Sequence, residues 1–245
     1  MPKPTQADGA GRAAVCLAAL IGLMASGAQA QTSRSDPTDL QSRFGTQVRL
    51  NLPDKWLATV QVQGRMVDDV SSYRGTYLSG EVERGLGKHL ALLANYRLAL
   101  VDRGTYHRFG LGAEASGKLG EAKLSLRPMF LFQRQHFDGD DDFGSDDDAY
   151  VRVRGAVKVP LSARWALTGA VEPYFKLGAD YPVDNWKNTL TLEYEITKGV
   201  KLDAYYSYRP DYGKSYNRTF HIVGTEVEIE VKWPRKAKAV EERAR

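Results

Sequence analysis

The stretch AYVRVRGAVKVPLSARWALTGAVEPYF, Ala149 to Phe175, decides how the chain folds. In its first arm Val151, Val153, Gly155, Val157 and Val159 alternate with Arg152, Arg154, Ala156 and Lys158. Only a two-residue period puts valine on one side and charge on the other, so this arm predicts a β-strand. After the break LSAR the alternation resumes: Trp165, Leu167, Gly169, Val171, Pro173 and Phe175 oppose Thr168, Ala170, Glu172, Tyr174 and Lys176. Two amphipathic arms around a tight turn make a hairpin. A water-soluble sandwich could carry the same faces, so arm length, repetition and the leader must decide between them.

Working outward, the hairpin has siblings. From Thr46 onward, five short turns join pairs of alternating segments: LPDKW (52 to 56), GLGKH (85 to 89), KLGEA (118 to 122), PLSARW (160 to 165) and TKGVK (197 to 201). Between them lie more polar links, most of them longer: 68 to 74, 102 to 105, 137 to 149, 178 to 185 and 209 to 217. The face pattern recurs in 56 to 66, 89 to 100 and the final strand, where Val223, Val227, Ile229, Val231 and Trp233 oppose Glu226, Glu228, Glu230 and Lys232. Arms near or above the ~9–11 residues that cross a tilted bilayer, with turns at one end and loops at the other, describe an outer-membrane barrel with its turns in the periplasm.

The rest of the chain agrees. Lys3 and Arg12 precede the apolar run AAVCLAALIGLMASG, which ends at Ala28, Gln29, Ala30; residues 1–30 read as a secretory signal peptide removed after Ala30. The single cysteine, Cys16, leaves with it, which excludes disulfides and thiolate metal sites from the mature chain. The whole chain carries a formal charge of +4; removing Lys3, Arg12 and Asp8 leaves +3, too small a bias to suggest nucleic acid. Tryptophan and tyrosine sort to the two ends, as at membrane interfaces: Trp56, Trp165 and Trp233 at the turn end, and Trp186 with Tyr73, Tyr106, Tyr150, Tyr181, Tyr208, Tyr212 and Tyr216 at the loop end.

The alternating segments number eleven, whereas bacterial barrels normally have an even count. The expectation is therefore an all-β, antiparallel transmembrane barrel of about ten strands, from Trp56 to Trp233, with twelve as the alternative. On that expectation GTQVRLNL (45 to 52) pairs only in part or plugs the pore. The expected organisation is a signal peptide (1–30), an N-terminal segment (31–43), the barrel (44–233) and a charged periplasmic tail (234–245).

The chain here resembles a family of bacterial outer-membrane β-barrels known only as a domain of unknown function. The likeness covers about Phe44 to Trp233 and rests on the leader, the hairpin train, HRF at 107 to 109, EPYF at 172 to 175, LEYEI at 192 to 196, and His221 followed by Gly224. It implies a Gram-negative outer-membrane location reached by the general secretory route, and no catalytic assignment. Implied partners are outer-membrane lipid, lipopolysaccharide and the assembly machinery. One departure is the tail PRKAKAVEERAR, since many such barrels end on an aromatic residue.

Alternation also gives each inward residue a height. Arg65, Arg97, Arg108, Arg127, Arg152, Arg154, Glu172, Glu193, Glu195, Arg209, Glu226 and Glu228 are expected to line the lumen, arginine towards the loops and glutamate towards the turns, with lysines diluting the lower half. The plainest function is structural, a barrel filled by paired charges. A sharper one is a narrow channel whose arginine-lined mouth concentrates small anionic solutes. A third is an outer-membrane hydrolase using His107, His136 or His221 with Asp102, Asp138 or Asp211, but no local motif marks a nucleophile, so an enzyme is not expected. Carboxylates two apart, such as Glu81 and Glu83, are what a charged lumen face produces. The acidic loop FDGDDDFGSDDD (137 to 148) lacks an ordered calcium-loop spacing, so no metal or cofactor is assigned.

Overall fold

The structure, a computed structural model, describes residues 37–102, 104–137, 147–179, 183–212 and 218–233. Residues 1–30, read from the sequence as a signal peptide, the charged tail and most of the acidic loop lie outside those residues.

Eleven strands follow one another: β1 (Thr38–Asn51), β2 (Trp56–Val67), β3 (Ser72–Gly85), β4 (Leu90–Val101), β5 (Gly104–Leu119), β6 (Ala122–Phe137), β7 (Asp147–Pro160), β8 (Trp165–Lys176), β9 (Val183–Thr197), β10 (Val200–Asp211) and β11 (Arg218–Lys232). They close into one barrel in chain order. The fold class is the expected one, and the hairpin at 149 to 175 is β7 and β8, paired from Tyr150 opposite Lys176 to Pro160 opposite Ala166. The turns are tight because their residues allow it. Gly199, at φ 84°, takes a left-handed position that a side chain would strain, so Thr197 and Val200 can face each other across a two-residue turn.

The departure is in the first strand. Among the described residues the count is eleven, between the ten and the twelve expected, and GTQVRLNL neither pairs in part nor plugs the lumen. It belongs to the full-length β1, antiparallel to β2 on one side and parallel to β11 on the other. The parallel ladder runs unbroken from Thr38 opposite Thr219 to Asn51 opposite Lys232. Antiparallel neighbours alone can close only an even ring; one parallel seam lets eleven strands leave no open edge. The described chain thus begins at the loop end and finishes at the turn end.

Apolar side chains face outward, and there is no single central core. Val60, Val62, Leu78, Leu92, Leu111 and Phe130 are among the large apolar residues left open on the outside, Leu111 at 65% exposure. Soluble monomers rarely expose so many large apolar side chains on one surface. The interior is mostly polar; its apolar residues include Phe220 and a buried patch of Leu93, Met129 and Leu131, packed against Tyr150 and Tyr174. Tyr106 and Tyr150, counted from the sequence among the loop-end interface aromatics, line the interior cavity instead. Trp56, Trp165 and Trp233 stand exposed at the turn end, at 37%, 41% and 57%.

Candidate functional site

A cavity of about 880 Å³ lies in the loop-end half of the lumen. Its lower boundary is a layer of ion pairs. Arg127 on β6 sits among three carboxylates of β3 and β5, 2.5 Å from Glu81, 3.6 Å from Glu83 and 3.6 Å from Glu114. Lys158 on β7 reaches Glu193 on β9 at 2.6 Å. Lys201 on β10 bridges Glu193 at 3.9 Å and Glu228 at 3.2 Å. Glu228 also accepts a hydrogen bond from Gln47 at 2.7 Å and pairs with Arg49 at 3.4 Å, so β1 closes the layer on its far side. Gln61 donates to Glu226 just above. Glu81, Glu83, Glu114, Glu193 and Glu228 each have a cation, as charges withdrawn from water require, while Asp203 on β10, opposite Glu193, keeps a buried Oδ1 with no hydrogen-bond partner.

Above the layer the pairing changes. Arg43 on β1 stands directly opposite Arg65 on β2, and Arg97 on β4 directly opposite Arg108 on β5. None of the four has a carboxylate partner among the described residues. Their contacts are neutral: Arg65 Nε donates to Gln63 at 2.8 Å while its guanidinium lies 3.5 Å from the Tyr77 ring centre, and Arg97 Nε donates to Ser79 at 3.0 Å. The Nε atoms of Arg43 and Arg108 are buried with no hydrogen-bond partner. On the other wall one carboxylate serves three cations. Glu172 on β8 is 3.2 Å from Arg152, 3.9 Å from Arg154 and 3.7 Å from Lys187, and accepts the Tyr174 hydroxyl at 2.7 Å.

At the mouth the charges pair again. Lys176 meets Asp148 at 2.6 Å, and Arg209 meets Asp211 at 3.0 Å with its guanidinium 4.3 Å from the Phe220 ring centre. Arg74 donates to the Tyr106 hydroxyl at 3.2 Å. Among the described residues the cavity is lined by eleven arginines and lysines against six carboxylates, so it is strongly electropositive.

Of the residues expected in the lumen, Arg65, Arg97, Arg108, Arg127, Arg152, Arg154, Glu172, Arg209 and Glu226 line this cavity. Glu193 and Glu228 lie in the ion-pair layer, and Glu195 stands opposite Lys201 near the turn end. Sequence reasoning missed Arg43, Lys187, Tyr77 and Tyr205. Arg43 fell in the segment set outside the barrel. Lys187 was legible from its alternation with Trp186 and Asn188.

His107, His136 and His221 point away from the lumen, and His107 Nε2 lies 3.5 Å from Thr105 Oγ1. His107 and His221 lie on the outer wall, each with Nδ1 2.7 Å from a tyrosine hydroxyl, Tyr96 and Tyr206 respectively. His136 stacks edge-on to His107, with ring centres 5.8 Å apart. Asp211 faces the lumen with Arg209, and Asp138 lies outside the described residues. No group of three or more metal-ligating side chains occurs among the described residues, and the acidic loop falls largely outside them.

A known family, described as "Protein of unknown function (DUF2490)", matches residues 41–219. No curated protein matches the chain. Among solved structures it is similar to one described as "NanC porin structure in rhombohedral crystal form", with 13% sequence identity and a TM-score of 0.48, over 69% of this chain and 86% of that one.

Proposed function

The chain belongs to the DUF2490 family of proteins of unknown function, and from that premise we propose that it is an outer-membrane β-barrel whose lumen admits small anions from the loop end. Support for the membrane comes from the barrel wall. Strands of 12 to 16 residues exceed the ~9–11 that a bilayer needs, the outside is apolar, and exposed tryptophans mark the turn end. An N-terminal secretory leader and the outer-membrane assembly machinery would bring it there.

The observation that carries the anion reading is the four arginines, Arg43, Arg65, Arg97 and Arg108, that lack carboxylates, while Glu81, Glu83, Glu114, Glu193 and Glu228 below them each have a cation. A water-excluding wall strengthens the field of such an excess and raises the local concentration of anions. Full-length protein reconstituted in planar bilayers under a salt gradient is expected to show small conductances whose reversal potential favours the anion. A cation preference would overturn this reading.

A second reading, a structural barrel with a charge-filled lumen, is favoured by the ion-pair layer alone. It predicts bilayers that stay electrically silent and a melting temperature indifferent to the anion present.

A further inference from the structure

The anion reading leaves open which anions, and the disposition of the positive charge narrows the choice. We propose that the cavity is a binding site for small organic polyanions, solutes with two or more acidic groups, in preference to monoanions. This rests on the anion reading above and sharpens it.

The unpartnered charge is distributed in separate places. Arg43 with Arg65 is one cross-strand pair and Arg97 with Arg108 another, with β3 between them. Like charges directly opposite each other on adjacent strands destabilise the pairing. Both pairs carry the same charge and line one cavity. The third place is the opposite wall, where Arg152, Arg154 and Lys187 share the single carboxylate of Glu172.

One negative group can bridge one pair and leaves the others uncompensated. A solute with two or three acidic groups can reach several at once. Guanidinium forks suit this task because they bind planar carboxylates and phosphates through two parallel hydrogen bonds. Arg43 and Arg108 still hold an unused, buried Nε–H. About 880 Å³ lies within the usual size of a small-molecule site, large enough for a solute that spans more than one pair.

The test is calorimetric titration of the full chain, refolded in zwitterionic detergent, with acetate, glutarate, tricarballylate and inorganic phosphate at fixed ionic strength and pH. Apparent Kd should fall about tenfold or more from acetate to glutarate, and again to tricarballylate. The double substitutions Arg43→Gln/Arg65→Gln and Arg97→Gln/Arg108→Gln each leave two of the three places, and should each bring tricarballylate to within about threefold of glutarate. Equal affinity for acetate and glutarate in the unsubstituted protein overturns the proposal without any variant having to fold, and leaves the anion reading standing. Failure of every anion to bind overturns both. A double variant that folds, judged by its heat-modifiable migration on gels, yet keeps the full preference for tricarballylate over glutarate also overturns the proposal.

Discussion

At the scale of single residues, two positions separate backbone strain from crowding. Val70 lies in the β2–β3 link at φ 64°, after Asp68 and Asp69, which are also left-handed. A β-branched residue is costly there. The link holds that shape because it docks on the start of β1: Val70 N donates to Leu40 O at 3.0 Å, and Asp69 N to Asp39 Oδ1 at 2.9 Å. Val70→Gly should therefore raise stability by about 1 kcal/mol, read as a higher melting temperature by circular dichroism; a lower one would mean that the valine side chain contributes more than its backbone costs. Gly224 presents the opposite case. A β-carbon there would collide with the ring of Tyr205, which lies across it on the lumen side. Gly224→Val should cost about 1–3 kcal/mol in the same melt, whereas Gly80→Ala, where the β-carbon meets open space, should change little.

At the scale of elements, the paired faces and the seam can be tested separately. Val153 points out of β7 and Arg154 points in, so Val153→Cys should resist a water-soluble thiol reagent that labels Arg154→Cys. Equal labelling would reverse the faces. At the seam Thr46 stands opposite Val227. Thr46→Cys with Val227→Cys should form a disulfide that changes migration on denaturing gels, while Thr46→Cys with Ile229→Cys, out of register, should not. Most of the barrel was legible in the sequence, because alternation reports which face is apolar and turn residues report where strands stop. The seam was not. A strand alternates in the same way whether its neighbour runs with it or against it, so VRLNL carries no sign of its parallel partner. The usual evenness of bacterial barrels then argued against counting it. The candidate site was half legible for the same reason. Inward arginines could be listed, including Arg65, Arg97 and Arg108, but which of them lack a carboxylate depends on pairings between strands distant in sequence. Arg127 illustrates this: it looked like its neighbours in sequence, yet it meets Glu81, Glu83 and Glu114 and belongs to the floor.

At the scale of the whole molecule, the lumen narrows from a wide mouth to a charged constriction. Ion pairs cross its lower half, and uncompensated cations line the space above. Removing the hub of that constriction should both weaken and widen the barrel. Arg127→Ala leaves Glu81, Glu83 and Glu114 crowded together without their cation, a change expected to cost about 3 kcal/mol. The variant should conduct better and discriminate less between anions and cations, measured in bilayers against the unsubstituted protein; unchanged conductance would mean that the constriction lies elsewhere. The seam between β1 and β11 has a further consequence, for engineering. In an even ring the first and last strands end side by side, and a short linker can join them so that new termini may be cut elsewhere. Here Thr38 and Lys232 stand at opposite rims, separated by the length of a 14-residue strand, about 45 Å along its path. A linker of a few residues cannot bridge that distance, so circular permutation of this barrel is closed to the simple route. A reporter fused ahead of β1 would instead sit at the opposite mouth from one fused after β11, and the two would report on different sides of whatever sheet of lipid the barrel spans.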